Sequence, residues 1–585
     1  MTLCYIHGLS LGWENTGLTN SASRDGSNTA AKALPTYAVD RSSFLNPLLI
    51  IIASASAMVM PFFFCGNPSG HDFEFHLNSW MEVLAHWKQG ILFPGWAGLA
   101  HFGYGEARFI FYPPLSWTLG AALGAVLPWK AVPGAYIWIA LSLSGLAMFV
   151  LAREWLTNHD AIFASILYIA NPYYIVIVYW RSAMAELLAG ALLPLLLLVV
   201  LRSKEKRGQM IRPLALIVAA AWLTNIPAAV MVTYSLGLLL VFAASFERKP
   251  RILGDGVLAL LLGVGLAAFY LLPVLHEQNW VNITQVLSPG VRPQDNFLFT
   301  ITDDADHNRF NWIVSAVAAS QIIVAAAAAL FAQRKLRKLP QTKFSQTCWM
   351  LIAWTTLACL LMFPFTLPAW NSFPELRFVQ LPWRWLLCVN VGLAVLVTIA
   401  WQRWLPRILL LTAMLGLLLF VSRSFQPPWW DTVADIAEML DNQVTGQGYE
   451  GTDEYVPAHA DASEVKQDAP LVSFIGHNSA HFQTQQWTVE SKTFSVSTEM
   501  PGQVAVRLFN YPAWKSKVNG QQVPVETQAK TGQMLIPVHT GENRIQITFT
   551  TTKDRIWGRI VSGLSLFIFA VLFFLQRRNR TRLAQ

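Results

Sequence analysis

Charge is what this sequence has least of. Only 13% of its 585 residues are Asp, Glu, Lys or Arg, against 54% apolar ones. A soluble globular chain carries roughly a quarter charged residues, so half that share over this length points to lipid rather than to one large water-exposed fold. Cysteine is scarce too. The five (Cys4, Cys65, Cys348, Cys359, Cys388) show neither a CxxC pair nor metal-ligand spacing. Of these only Cys65 falls where an oxidising compartment would be met, so no structural disulfide is expected. Walker A, GxSxG and HExxH patterns are missing, which removes ATPase, serine-hydrolase and zinc-protease readings. No apolar stretch carries the chain of intramembrane carboxylates that a proton pump uses. A net charge of +8 would suit nucleic acid, but the basic residues gather in short clusters between apolar runs. That is the positive-inside pattern, and no nucleic-acid partner is expected.

Long apolar runs, by contrast, are plentiful. Runs near the roughly 20 residues that cross a bilayer lie at 44–64, 131–152, 161–179, 184–201, 213–229, 230–246, 252–275, 312–332, 344–363, 382–401, 404–423 and 556–575. A further one, 114–128, is short and bracketed by Pro113-Pro114 and Pro128. The clusters Arg202/Lys204/Lys206/Arg207/Arg212, Arg248/Lys249/Arg251, Arg334/Lys335/Arg337/Lys338/Lys343 and Arg577/Arg578/Arg580/Arg582 belong on the cytoplasmic side. Loops 65–112 and 276–311 carry more acid than base and suit the opposite side. Every cluster lands inside only if 114–128 does not cross.

The expectation is therefore an all-α polytopic protein of about 12 transmembrane helices, in a bacterial inner (cytoplasmic) membrane, with both termini cytoplasmic. Residues 114–128 would be a re-entrant helix within a first outer loop, 65–130, and half-spanning backbone of this kind implies a cavity beside it. Residues 1–43, polar and rich in Ser, Thr and Asn, read as a disordered cytoplasmic extension ahead of a transmembrane domain, 44–423. Segment 424–555 differs in kind. It is polar, has turn signals at Val518-Asn519-Gly520 and Thr540-Gly541-Glu542, and alternates in runs such as Val504–Leu508 and Arg544–Phe549. It reads as a small extracytoplasmic β-sandwich, tethered by the last span and basic tail, 556–585.

Several polar clusters stand at the ends of these runs. Gly70-His71-Asp72-Phe73-Glu74-Phe75-His76 follows the first span. On a helix Asp72 and His76 share a face, fit to supply a base or to begin a divalent-metal site, or else Asp72 simply caps the helix. Glu106 and Arg108 lie in a Gly- and aromatic-rich loop that either lines a substrate or anchors at the interface with a local ion pair. Glu186 enters the start of an apolar run, where a carboxylate is costly unless paired or functional, and Arg181 is its nearest candidate partner. Arg377 and Arg384, flanked by Trp, sit where guanidinium groups bind a lipid phosphate or snorkel to ordinary headgroups. The acidic segment Gly448–Tyr455 is either a lid over a cavity or a solvated linker.

Four strings, GHDFEFHLNSWMEVLAHWKQGILFPGW, GYGEARFIFYPPLSW, NPYYIVIVYWRSAMAELLAG and ELRFVQLPWRWL, resemble the bacterial membrane proteins labelled 6-pyruvoyl-tetrahydropterin synthase-related. These are relatives of the YfhO-like proteins in the GT-C glycosyltransferase superfamily. The chain has no His triad or catalytic-Cys setting for pterin chemistry, and no pterin is expected. The resemblance implies sugar transfer from a polyprenyl-phosphate donor to an envelope glycan or lipid acceptor, on the periplasmic face. It implies Asp72 as the first-loop acid and Glu186 as the second, both catalytic. Glu74, His76, Glu106, Arg108, Arg181, Arg377 and Arg384 would bind substrate, and a divalent metal at Asp72 and His76 stays open. A non-catalytic lipid-glycan transporter or assembly scaffold of the same fold is the alternative.

Overall fold

The computed structural model describes residues 42–202, 208–336, 343–425, 430–458, 460–475 and 480–584. The expected extension 1–43 lies almost wholly outside them. Among the described residues nine helices are long and apolar enough to cross a membrane. Two further pairs reach that length together but are bent: Arg251–Leu266 with Ala268–Trp280, by 75°, and Ser345–Leu360 with Pro364–Ser372, by 95°. A shorter apolar helix, Ile211–Thr224, occupies the predicted span 213–229. Each of the twelve predicted runs thus coincides with a helix or a bent pair.

One boundary moves. The break falls at Asn225, not at 229–230, because Asn225 adopts an extended backbone and its side chain accepts the Ala228 N–H, with Pro227 in the first turn beyond. That leaves Ile211–Thr224 only about 21 Å long, short of a bilayer core of about 30 Å.

Burial sorts the helices by depth in the bundle. The stretch Pro382–Ala400 is 94% buried and forms its centre, whereas Lys553–Leu575 is 6% and Trp404–Arg423 17% buried, as lipid-facing helices are. Polar side chains tie the centre together. Asn390 donates to Asn171 Oδ1 at 2.9 Å and accepts from Gln321, so three helices share one buried amide chain.

The stretch predicted to be re-entrant is the helix Pro114–Gly124. Its 11 residues span about 16 Å, too little to cross. One face of it, with Pro114, Ser116, Trp117, Gly120 and Ala121, is buried against protein, while Leu115 on another face is 40% exposed. A Cβ on Gly120 would fall 2.1 Å from the Trp80 ring, and Trp80 stacks on Tyr136 with centroids 4.9 Å apart. Its buried face packs on helices Phe73–Lys88 and Val132–Ala152, and its Trp117 meets the ring of Phe93 at 5.5 Å.

The C-terminal region forms two antiparallel sheets. One orders Val472–Ile475, Gly502–Phe509, Gln533–Val538 and Glu526–Thr527; the other orders Ala480–Trp487, Ser491–Thr498, Gly541–Phe549, Trp514–Val518 and Gln521–Val523. Asn519 and Gly520 both take positive φ, 53° and 85°, as a two-residue hairpin requires. The second turn signal, at Gly541, carries the chain from one sheet to the other. Asn543, Ile545 and Ile547 point inward, so the period of two in the sequence is the burial pattern.

Candidate functional site

The third span, Asn158–Arg181, ends in a π-helical turn, Ile177–Arg181, after which Ser182 takes φ 50°. The loop following the first span folds onto that end. Asp72 N–H donates to Arg181 O at 2.9 Å, and Gly70 N–H donates to the Ser182 hydroxyl, which itself donates to Pro68 O. Gly70 must lack a side chain: a Cβ there would lie 2.4 Å from Trp180 O. The contact fixes Asp72 beside Arg181, with Asp72 Oδ2 3.8 Å from Arg181 Nη2. Asp72 makes no side-chain cap to its own helix, so its carboxylate is turned to the guanidinium instead.

Behind Arg181 lies a fully buried cluster. Glu186, 1% exposed, accepts from Arg181 Nη1 at 2.6 Å and Arg384 Nε at 3.1 Å on Oε2, and from the Tyr173 hydroxyl at 2.5 Å on Oε1. Arg384 also donates to Val379 O and Gln380 Oε1, and Arg181 lies over the Trp383 ring at 5.0 Å. Two guanidiniums face one carboxylate, so the cluster keeps an excess positive charge next to Asp72, whose side chain is 43% exposed. Asp72 is thus the accessible acid of the group. Glu186, with both oxygens engaged and no solvent, holds the arginines in place.

The other predicted residues divide. His76 is buried among the rings of Phe75, Trp80 and Tyr112, and burial pushes its imidazole down to about 4, more than the Asp72 carboxylate raises it. Glu74 is exposed and points to a different neighbourhood. Together with burial and Asp435 its charge pushes Asp431, on the strand pair Asn67–Pro68 and Trp430–Asp431, up to about 6. Arg377 is exposed on the turn Leu376–Val379. Among the described residues no three His, Cys, Asp or Glu side chains are grouped as a metal requires. Asp72 and His76 alone do not make a ligand set.

Glu106 and Arg108 form a separate, closed network. Arg108 Nε donates to Glu106 Oε1 at 2.5 Å, His101 Nε2 lies 2.9 Å from Oε2, and Thr452 supplies an N–H at 2.8 Å and a hydroxyl at 3.2 Å. Burial would raise this carboxyl, but Arg108 first and then His101 and Thr452 hold it down at about 2. Beside it Glu82 accepts from Tyr449 OH at 2.6 Å and Leu99 N–H at 3.1 Å. Segment 448–455 is therefore a strap fastened to the first loop, neither a lid nor a solvated linker. The sequence readings missed Tyr173, Ser182, Glu82 and Tyr449. Each of the four lies in a string or segment singled out above, but the partners of Ser182, Glu82 and Tyr449 come from distant segments of the chain.

Residues 109–427 match the family described as 6-pyruvoyl-tetrahydropterin synthase related domain, membrane protein. The chain belongs to this family. Of the candidate residues, Arg181, Glu186, Arg377 and Arg384 lie inside the matched stretch, and Asp72, Glu74, His76, Glu106 and Arg108 precede it. No curated protein matches the chain. Among solved structures, the Archaeoglobus fulgidus oligosaccharyltransferase in the apo form is similar at a TM-score of 0.38 and 13% identity, over 70% of this chain and 57% of that one. This member of the family thus spans less than two thirds of that structure's length.

Proposed function

We propose that this membrane protein is a GT-C-type glycosyltransferase that moves a sugar from a polyprenyl phosphate to a glycan or lipid acceptor on the extracytoplasmic side. The observation that carries the reading is Asp72, an accessible carboxylate held beside the buried Arg181–Glu186–Arg384 cluster. In the proposed step Asp72 takes the proton of the acceptor hydroxyl. The acceptor oxygen bonds to the anomeric carbon as the bond from that carbon to the donor phosphate breaks, and the electron pair leaves on the phosphate. The excess guanidinium charge, with the exposed Arg377, offsets the charge that develops there. Glu186 is read as a positioning residue and Glu106 with Arg108 as structural, which revises the catalytic and substrate-binding roles first expected of them.

The test is Asp72→Asn in the full chain. Asp72 is part-exposed and its one ion contact is long, so the substitution should change stability by no more than about 1 kcal/mol. Transfer from a polyprenyl-phosphate sugar should fall by at least about a hundredfold. Normal turnover by the folded Asp72→Asn protein would sink the catalytic reading and favour the non-catalytic scaffold.

A further inference from the structure

A cleft of about 610 Å³ lies between the turn 90–95, the bent helix at 269–273, the strand end 549–551 and the first turns of the last helix. None of the residues of the Asp72 cluster lines it. Its floor is apolar, with Phe93, Phe109 and Phe269 among its walls. Arg555 borders it but is bound in bidentate fashion to Glu277, at 2.7 and 2.8 Å. Two charged groups that border the same cleft are not so engaged. Among the described residues neither the Arg559 guanidinium nor the Glu490 carboxylate meets a hydrogen-bond or ion-pair partner.

The surroundings place the mouth of this cleft at a lipid surface. The last span, Lys553–Leu575, is only 6% buried by protein, and Trp557 on its second turn is 62% exposed. Exposed Trp near the end of a span marks headgroup level. On the facing turn Leu92 is 76% and Phe93 41% exposed, an apolar lip that water would not favour. A simple anion in the cleft would meet Glu490, and an uncharged chain would leave the Arg559 guanidinium and the Glu490 carboxylate, the latter facing the charges of His86 and Arg555 without bonding to them, with no hydrogen bond. A phosphate linked through two carbons to a primary ammonium answers both, with its acyl chains on the aromatic floor.

We infer that this cleft binds a zwitterionic aminophospholipid of the phosphatidylethanolamine type, its phosphate on Arg559 and its ammonium on Glu490. The test uses full-length protein in phosphatidylcholine nanodiscs doped equally with phosphatidylethanolamine and phosphatidylglycerol, with retained lipids counted by native mass spectrometry. Wild type should retain phosphatidylethanolamine about tenfold over either competitor. Arg559→Gln should lose that retention, whereas Glu490→Gln should keep phospholipid but lose the preference for phosphatidylethanolamine. Among the described residues neither side chain makes a hydrogen bond or ion pair to protein, so both variants should unfold near the wild-type temperature. Equal retention of the three lipids by wild type, or unchanged selectivity in both folded variants, overturns the proposal. The wild-type preference decides the matter by itself if either variant does not fold.

Discussion

Glu186 shows how a single buried carboxylate can be required without touching substrate. It is the shared partner of Arg181, Arg384 and Tyr173, and no other carboxylate lies within ion-pair reach of Arg384 among the described residues. Replacing one member of such a group leaves charges buried and unanswered, which costs about 3–5 kcal/mol. Glu186→Ala should therefore lower the unfolding temperature sharply, whereas Asp72→Asn should not. Equal unfolding temperatures for the two variants would refute the division of roles. His76 makes a second, pH-resolved case. Its imidazole is held at about 4 in the fold against roughly 6.5 in an unfolded chain. As pH falls the unfolded chain takes up the proton first, so this stability is whole above about 6.5 and is lost as pH drops toward 4, by at most about 3 kcal/mol. His76→Phe, a ring for a ring within an aromatic cage, should flatten that part of the unfolding-temperature profile. A profile with unchanged slope would show that His76 is not its source.

At the scale of elements, the seat of Asp72 is a loop pressed onto a helix end. Gly70→Ala would push a Cβ to within 2.4 Å of Trp180 O and 2.7 Å of the Arg181 carbonyl carbon, so the loop must lift and carry Asp72 with it. Activity should drop as far as in Asp72→Asn, with the helices still inserted; retained activity would mean that this contact does not position the acid. The helices themselves were legible, because length and apolarity act within one segment. The break at Asn225 was misplaced because its cue, an Asn followed by Pro227, is a local cap hidden inside a continuous apolar run. The Arg181–Glu186 pair was legible too, since the partners are five residues apart. Arg384 joins them from 198 residues away, and Thr452 reaches Glu106 across 346. Such meetings are decided by packing of whole helices and leave no periodic trace in either segment.

Across the whole molecule one buried tie stands out between the helical bundle and the sheets. Glu277, fully buried at the end of the bent helix Ala268–Glu277, accepts two bonds from Arg555 of the last helix, one from Thr552 at 3.2 Å, and one from the hydroxyl of Tyr511. Tyr511 in turn packs with Trp96 of the first loop and Trp280, at centroid distances of 5.4 and 5.5 Å. The acid thus sits where first loop, bundle, sheets and final helix meet, and the aromatic cluster around it excludes water. Removing it strands the Arg555 charge in that cluster, at a cost of about 3 kcal/mol or more. That loss should be felt as loosening between bodies, because the core within each sheet is untouched. Hydrogen exchange of Glu277→Ala should therefore quicken at 511–514 and 549–556 and stay at the wild-type rate at 173–186. Uniformly faster exchange would mean that the bundle and the sheets unfold as one unit and that Glu277 serves global stability alone.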